Sequence, residues 1–499
     1  MLKCSVFRET QLIMKFRQPI LRVLIPLFLA PTLAFALTPD EQFLAARDAA
    51  RTGDRAKLER LAPFLQGHEL EAYVEYWQLL PDLKDSDPAT VQAFLSRHEN
   101  SYIAEKLRTD WLRQLARKQQ WSLFDSEYPR LAQANQELAC QALQSRRAQG
   151  DPRVLDDALP LWLTLLEPPE PCYPVLEALI IDKRVLADAV WARIRRQFEA
   201  NKIAAALYSM NYLPSSQMPE KKLAQTVVDT PLPWLGRLPS DFSGNRAQRE
   251  LAALAIQRLA RNDPRMAADQ LEKIGGSMKS GEKAWAWSQI GLQAAQRHLP
   301  EAMEWYRQAG DAPLSDEAAE WKVRAALRVQ DWGSVRASIE RMPPELAAQP
   351  AWVYWLGRAY RAGGRMEDAN TLFAKIAGQP DFYGSLANDE LGRHTMTPPK
   401  APPPSREELA QVSAIPGVRR AQTFFRLNLR SEGSKEWSWA LRSMSDRELL
   451  AASEIAVRSG NYDRAIAAAD RTRSEHDYSM RYLAPYSDQV RPAARSQAL

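Results

Sequence analysis

The sequence predicts an all-α protein, a right-handed α-superhelix built from helical hairpins. Glycine is scarce, 20 in 499 residues, about 4% against roughly 7% in average proteins. Ala, Leu, Arg, Gln and Glu take its place, and all are good helix formers. Apolar residues recur at helical spacing, whereas no convincing run of alternating apolar and polar residues marks a strand.

The first segment stands outside that fold. Lys15, Arg17 and Arg22 precede the apolar run from Val23 to Phe35, and Ala34-Phe35-Ala36 supplies a small-x-small site. This is the pattern of a secretory signal peptide cleaved after Ala36. Met14 is an alternative start, because Glu9 is out of place in a signal peptide. The run is broken by Pro26 and Pro31 and is shorter than the ~18 apolar residues a transmembrane helix needs. Leu37, not a Cys that could carry a lipid, directly follows the cut. The expectation is an exported, periplasmic protein with no stable membrane anchor. Lys3, Arg8, Lys15, Arg17 and Arg22 against Glu9 give this segment +4 of the whole-chain charge of +5, leaving +1. A nucleic-acid partner is therefore not expected. Cys140 and Cys172 remain in an oxidising compartment, either as a disulfide or as two separate buried thiols. A bridge closing this loop stabilises by about 3–4 kcal/mol in the chain-entropy model.

Thr38-Pro39-Asp40-Glu41 opens the next segment with a capping box and a proline suited to a first helical position. In SYIAEKLRTDWLRQLA, Ala104, Leu107, Trp111, Leu112 and Leu115 form one apolar helix face. Leu356-Gly357, Tyr360, Ala369 and Phe373 follow the tetratricopeptide spacing L-G-x2-Y…A-x3-F. Ile290-Gly291, Ala302 and Tyr306 echo it, as do Tyr462, Ala465 and Ala469. Small residues at these places let two helices approach, and stacked hairpins bury what one hairpin cannot. Leu213 to Ser243 reads as a long loop within the solenoid. TPPKAPPP, Thr397 to Pro404, has five prolines in eight residues and reads as a stiff connector.

Motifs for chemistry are missing. His68, His98, His298, His394 and His476 are scattered, with no metal-ligand spacing and no cofactor motif. GSMKSGEK (Gly276 to Lys283) misses the phosphate loop because Glu282 stands where the Lys must be, so it reads as a helix–helix loop. Trp285, Trp287, Trp305, Trp321, Trp332, Trp352 and Trp355 crowd one region. Tryptophans at helical spacing read as hairpin core rather than sugar platforms. No residue is assigned a catalytic role.

Glu75 to Pro129 resembles the opening of the soluble lytic murein transglycosylases, through Phe94-Leu95, Ser101, Ala104, Leu107-Arg108, Trp111-Leu112, Trp121, Phe124 and Tyr128. DFYGSLANDELG (Asp381 to Gly392) resembles that family's last solenoid helix, and Arg481 to Ala494 the approach to its catalytic domain. The resemblance implies a ring- or U-shaped superhelical domain over 37–396, a connector over 397–404, a helical linker domain over 405–475, and the start of a lysozyme-like catalytic domain over 476–499. The family cleaves MurNAc–GlcNAc bonds of peptidoglycan, leaving a 1,6-anhydro sugar, through a Glu that precedes a Ser. No Glu-Ser pair occurs in this sequence. The expectation is a glycan-positioning ring and linker, inactive alone, with peptidoglycan strands as partner and other periplasmic cell-wall proteins as further candidates. The alternative is a non-enzymatic exported scaffold that binds proteins or glycan strands.

Overall fold

The computed structural model describes residues 37–394 and 399–497. The signal-peptide reading of residues 1–36 falls outside the described residues, as do Thr397 and Pro398 of the proline tract. Among the described residues every regular element is a helix, and the one β-bridge, Lys400 with His476, is isolated. No helix among them is long and apolar enough to cross a membrane. The chain divides into two compact units, one ending at His68 and one starting at Glu69. That division lies inside the segment 37–396 expected to form a single superhelical domain.

The first unit opens with the helix Pro39–Thr52. Thr38 and Glu41 form the expected reciprocal capping box, which satisfies backbone N–H groups that have no partner within the helix. Gly53 ends the helix at φ +75°, a left-handed conformation that glycine adopts without a side-chain clash. A second helix, Arg55–Leu61, follows at once, with Asp54 as its cap. Within this unit His68 stacks on Phe43 at 5.4 Å and faces Asp40 at 3.2 Å.

The second unit is a succession of helical hairpins, with one continuous apolar core running from Val154 to Ala359 and separate cores beyond it. The helix Tyr102–Arg117 buries Ala104, Leu107, Trp111, Leu112 and Leu115, as its spacing predicts. Hairpin seams form where small residues meet aromatic ones. A Cβ on Gly357 would lie 2.6 Å from the Phe373 ring, and one on Gly291 would lie 3.1 Å from the Tyr306 ring. Any side chain at Gly357 would therefore drive the helices Pro350–Ala362 and Met366–Ile376 apart.

The stretch from Leu213 to Ser243 corrects the sequence reading, because it is not simply a loop. It contains the helices Lys221–Asp229 and Pro231–Leu235. Ala224 and Val227 are buried, so a short amphipathic face was present among the prolines. Pro231 starts a helix rather than ending one, since its missing N–H costs nothing there.

Beyond the proline tract lies a smaller helical module with its own core around Val418, Trp437, Ala452 and Ala468. The described part of the tract is tied to this module. Ala401 N–H donates to the His476 carbonyl, and Arg447 donates to the carbonyls of Pro402 and Pro403. The module's end is fastened by Asp446, which accepts backbone N–H bonds from Arg473, Ser474 and Glu475. Burial alone would raise this carboxyl, but the three N–H groups outweigh it and hold it well below the usual range.

Candidate functional site

The path of the second unit closes on itself. The hairpin of helices Pro416–Arg426 and Arg430–Ala440 packs tightly because Gly433 leaves room for Phe425, whose ring would sit 2.6 Å from a Cβ there. This hairpin turns Phe424, Arg420 and Glu436 towards the unit's first helices. Tyr73, on the helix Glu71–Leu79, sets its ring edge on Phe424 at 4.8 Å. Its hydroxyl donates to Glu436 at 2.7 Å across 363 residues of chain. Arg420 Nε lies 3.2 Å from the other Glu436 oxygen, near enough for ion pairing though not aligned as a hydrogen bond. Arg419 pairs with Glu69 at 3.3 Å on the rim.

Glu436 is fully buried. Burial pushes its carboxyl up, while Arg420 and the Tyr73 hydroxyl pull it back only in part. Burial and the nearby Glu436 likewise raise the Tyr73 hydroxyl. A buried polar cluster of this kind is stable only while each member keeps its partner. The seam therefore has one geometry.

Beside this seam lies an open cleft of about 530 Å³. One wall is the helix Tyr102–Arg117, capped by Ser101. Asn100 precedes that cap at φ +61°, a left-handed conformation that Asn tolerates better than most residues. The turn directs the Asn100 carbonyl to Trp439, whose indole N–H donates to it at 2.8 Å. Arg442 lies 3.3 Å over the Trp439 ring, a cation–π stack, and neither is fully buried. The lining also includes the almost fully buried Glu127, which receives bonds from Gln92, Arg108 and Arg130. Glu99 is exposed at the mouth. The cleft thus offers a flat aromatic edge, carboxylate acceptors and guanidinium donors, the mixture that neutral hydroxyl-rich ligands need.

Leu95, Ser101, Ala104 and Arg108, which carry the sequence resemblance, line this cleft, whereas the cysteines, the Gly276–Lys283 segment and the tryptophan-rich region lie elsewhere. Cys140 and Cys172 are joined by a disulfide that ties the helix Gln136–Ala148 to the segment before Tyr173–Ile181. No group of His, Cys and acidic residues among the described residues could hold a metal ion. Glu282 in GSMKSGEK is buried against Arg249, with Arg249 Nε 3.0 and 3.1 Å from its two oxygens. Trp285, Trp287, Trp305 and Trp352 are buried, and Trp321, Trp332 and Trp355 pack against the same core. Tyr73, Asn100, Glu436, Trp439 and Arg442 were not visible as a group in the sequence. The one available hint is Trp437 and Trp439 two apart on one helix, a spacing that cannot put both on one face.

Two more carboxyls are raised by burial, Glu199 and Glu250. Neither lines the cleft. Glu250 is held by Arg195 at 2.6 Å. Glu199 accepts from Ser315 and from Gln289, at 3.1 Å for the latter, and so joins three helices. Because its folded value is raised, Glu199 keeps its proton in the fold where the unfolded chain has released it. That stabilisation is complete below the ordinary Glu value, near pH 4, and is lost as pH rises through the folded value. Glu199→Gln cannot ionise. The variant is expected to match the parent at about pH 4 and to be the more stable of the two at neutral pH. Urea titrations across that range check this, and a difference independent of pH contradicts it.

The soluble lytic murein transglycosylase L domain matches residues 411–474. The soluble lytic murein transglycosylase of Escherichia coli K12 is 22% identical over 443 residues, 86% of this chain and 67% of the relative. The Salmonella typhimurium protein of that name is 22% identical over 447 residues, with the same coverage of 86% and 67%. The X-ray structure of an inactive mutant of lytic transglycosylase Slt from Pseudomonas aeruginosa matches with a TM-score of 0.68 and 26% identity. It covers 92% of this chain and 75% of that one. The 70-kDa soluble lytic transglycosylase of Escherichia coli shares the fold, with a TM-score of 0.57 at 19% identity over 92% of this chain and 74% of that one. A structure of a 70-kDa soluble lytic transglycosylase in complex with bulgecin A also shares the fold, with a TM-score of 0.56 at 19% identity.

Proposed function

Since the chain belongs to the soluble lytic murein transglycosylase family, we propose that it acts in the periplasm to hold peptidoglycan glycan strands, and that the closing junction is where it grips the sugar chain. Its residues correspond to the non-catalytic N-terminal part of such proteins. The observation that carries the reading is the cleft beside Trp439. Its aromatic edge, carboxylates and guanidinium groups suit a saccharide, and it sits where the helix Tyr102–Arg117 meets the end of the helix Arg430–Ala440.

These residues bind and do not cleave. Protonating a glycosidic oxygen requires a carboxylic acid raised in its pKa and facing the substrate. Glu199, Glu250 and Glu436 have the raised value, but each is enclosed by its partners and none lines the cleft. The purified chain is expected to leave a murein zymogram uncleared and to be retained on peptide-free glycan strands. Trp439→Ala weakens that retention about three- to tenfold, the loss of one aromatic contact. A cleared zone, or glycan retention unchanged by both Trp439→Ala and Arg442→Ala, overturns the reading.

A further inference from the structure

A second cavity, of about 500 Å³, runs along the helix Asp316–Arg328 and has a different chemistry. Trp321, Arg324, Ala325 and Arg328 line it at i, i+3, i+4 and i+7, one face of that helix. Met303 and the turn residues His298 and Leu299 form the facing wall. This face carries two guanidinium groups at the edge of the cavity.

The guanidinium of Arg324 lies 5.1 Å from both the Trp321 and the Trp352 rings. Both of its terminal nitrogens bond one oxygen of Glu320 at 3.1 Å, so the head is held in place before any ligand arrives. Arg328, one turn on, is exposed and has no ion-pair partner among the described residues. Val329 beside it is 51% exposed. Guanidinium groups donate only, and their planar fork fits a carboxylate. The cavity therefore offers cationic donors above an apolar floor, with Glu320 as the acid next to them. A neutral sugar would leave those donors poorly used. A ligand with a carboxylate and small apolar groups satisfies both parts.

We propose that this cavity binds the peptide stem of the peptidoglycan strand, with a stem carboxylate on Arg328 and Arg324 and a stem methyl group against Trp321 and Met303. The proposal rests on the reading that the chain engages peptidoglycan, and it assigns sugar and peptide to separate places. The strand would then be held at two points, by its sugars at the closing junction and by a stem along the array.

The test titrates the intact chain by calorimetry with stem tetrapeptide released from its sugar, and separately with peptide-free glycan strands. Saturable binding of the stem is expected. Arg328→Glu weakens it at least about tenfold, the loss of a charge-assisted contact, while Arg328→Lys weakens it less. Glycan binding is expected to be unchanged by Arg328→Glu. Arg328 is exposed and has no ion-pair partner among the described residues, so the variant keeps its fold, which circular dichroism verifies. The proposal is overturned if the stem does not saturate the chain, if Arg328→Glu binds as the parent does, or if an unrelated peptide of equal charge binds equally well. Stem binding without glycan binding would refute the junction reading and leave this proposal standing. Glycan binding without stem binding would do the reverse.

Discussion

Glu282→Ala is expected to lower the stability of the second unit by about 3–5 kcal/mol, the largest loss anticipated from a single substitution. Arg249 and Glu282 are both buried, their side chains 4% and 6% exposed. The pair joins the helix Arg246–Ala260 to the start of Ser280–Gln296. Glu282 also accepts the Lys279 backbone N–H at 3.0 Å, so its loss uncaps the second helix. Without it, the Arg249 guanidinium is left in the core with the Ser243 carbonyl as its acceptor. The cost is that of an uncompensated charge rather than the worth of the pair. The double variant Arg249→Met, Glu282→Leu should therefore recover most of the loss, because apolar residues of similar volume tolerate such sites. Urea unfolding monitored by circular dichroism decides the matter. A loss below about 1 kcal/mol for Glu282→Ala would mean that water reaches the pair.

The second large effect is at the closing seam. Glu436→Ala removes the acceptor of Tyr73 and the counter-ion of Arg420, whose side chain is 12% exposed. A loss of about 3 kcal/mol is expected, concentrated at the junction. Amide exchange should accelerate at residues 98–105 and 430–442 while the core from Val154 to Ala359 keeps its protection. Tyr73→Phe keeps the ring on Phe424 and deletes only the hydroxyl, so about 1–3 kcal/mol is lost. Uniform acceleration across the whole unit would show that the seam and the solenoid unfold together. The Trp439 cleft borders this seam, so glycan retention should fall with Glu436→Ala even though Glu436 does not line the cleft.

The sequence was informative wherever a structure depends on neighbours along the chain. The helix Tyr102–Arg117 follows from one apolar face. The seam of Gly357 and Phe373 follows from a spacing of sixteen residues, because a close helical pair needs a small residue opposite a large one. The Leu213 to Ser243 stretch was misread because proline looks alike whether it breaks a helix or begins one. Only the burial of Ala224 and Val227 separates the two cases.

The sequence by itself determined that this chain is helical, where its hairpin seams lie and which family it resembles, since all three are written in local spacing and composition. Tertiary structure alone decided where a ligand could be held. Tyr73 meets Glu436 across 363 residues, and Trp439 meets Asn100 across 339. Nothing in the pattern around Trp439 says that a left-handed Asn100 will offer it a carbonyl. Periodicity shows which face of a helix is apolar. It does not show which distant face will be brought against it.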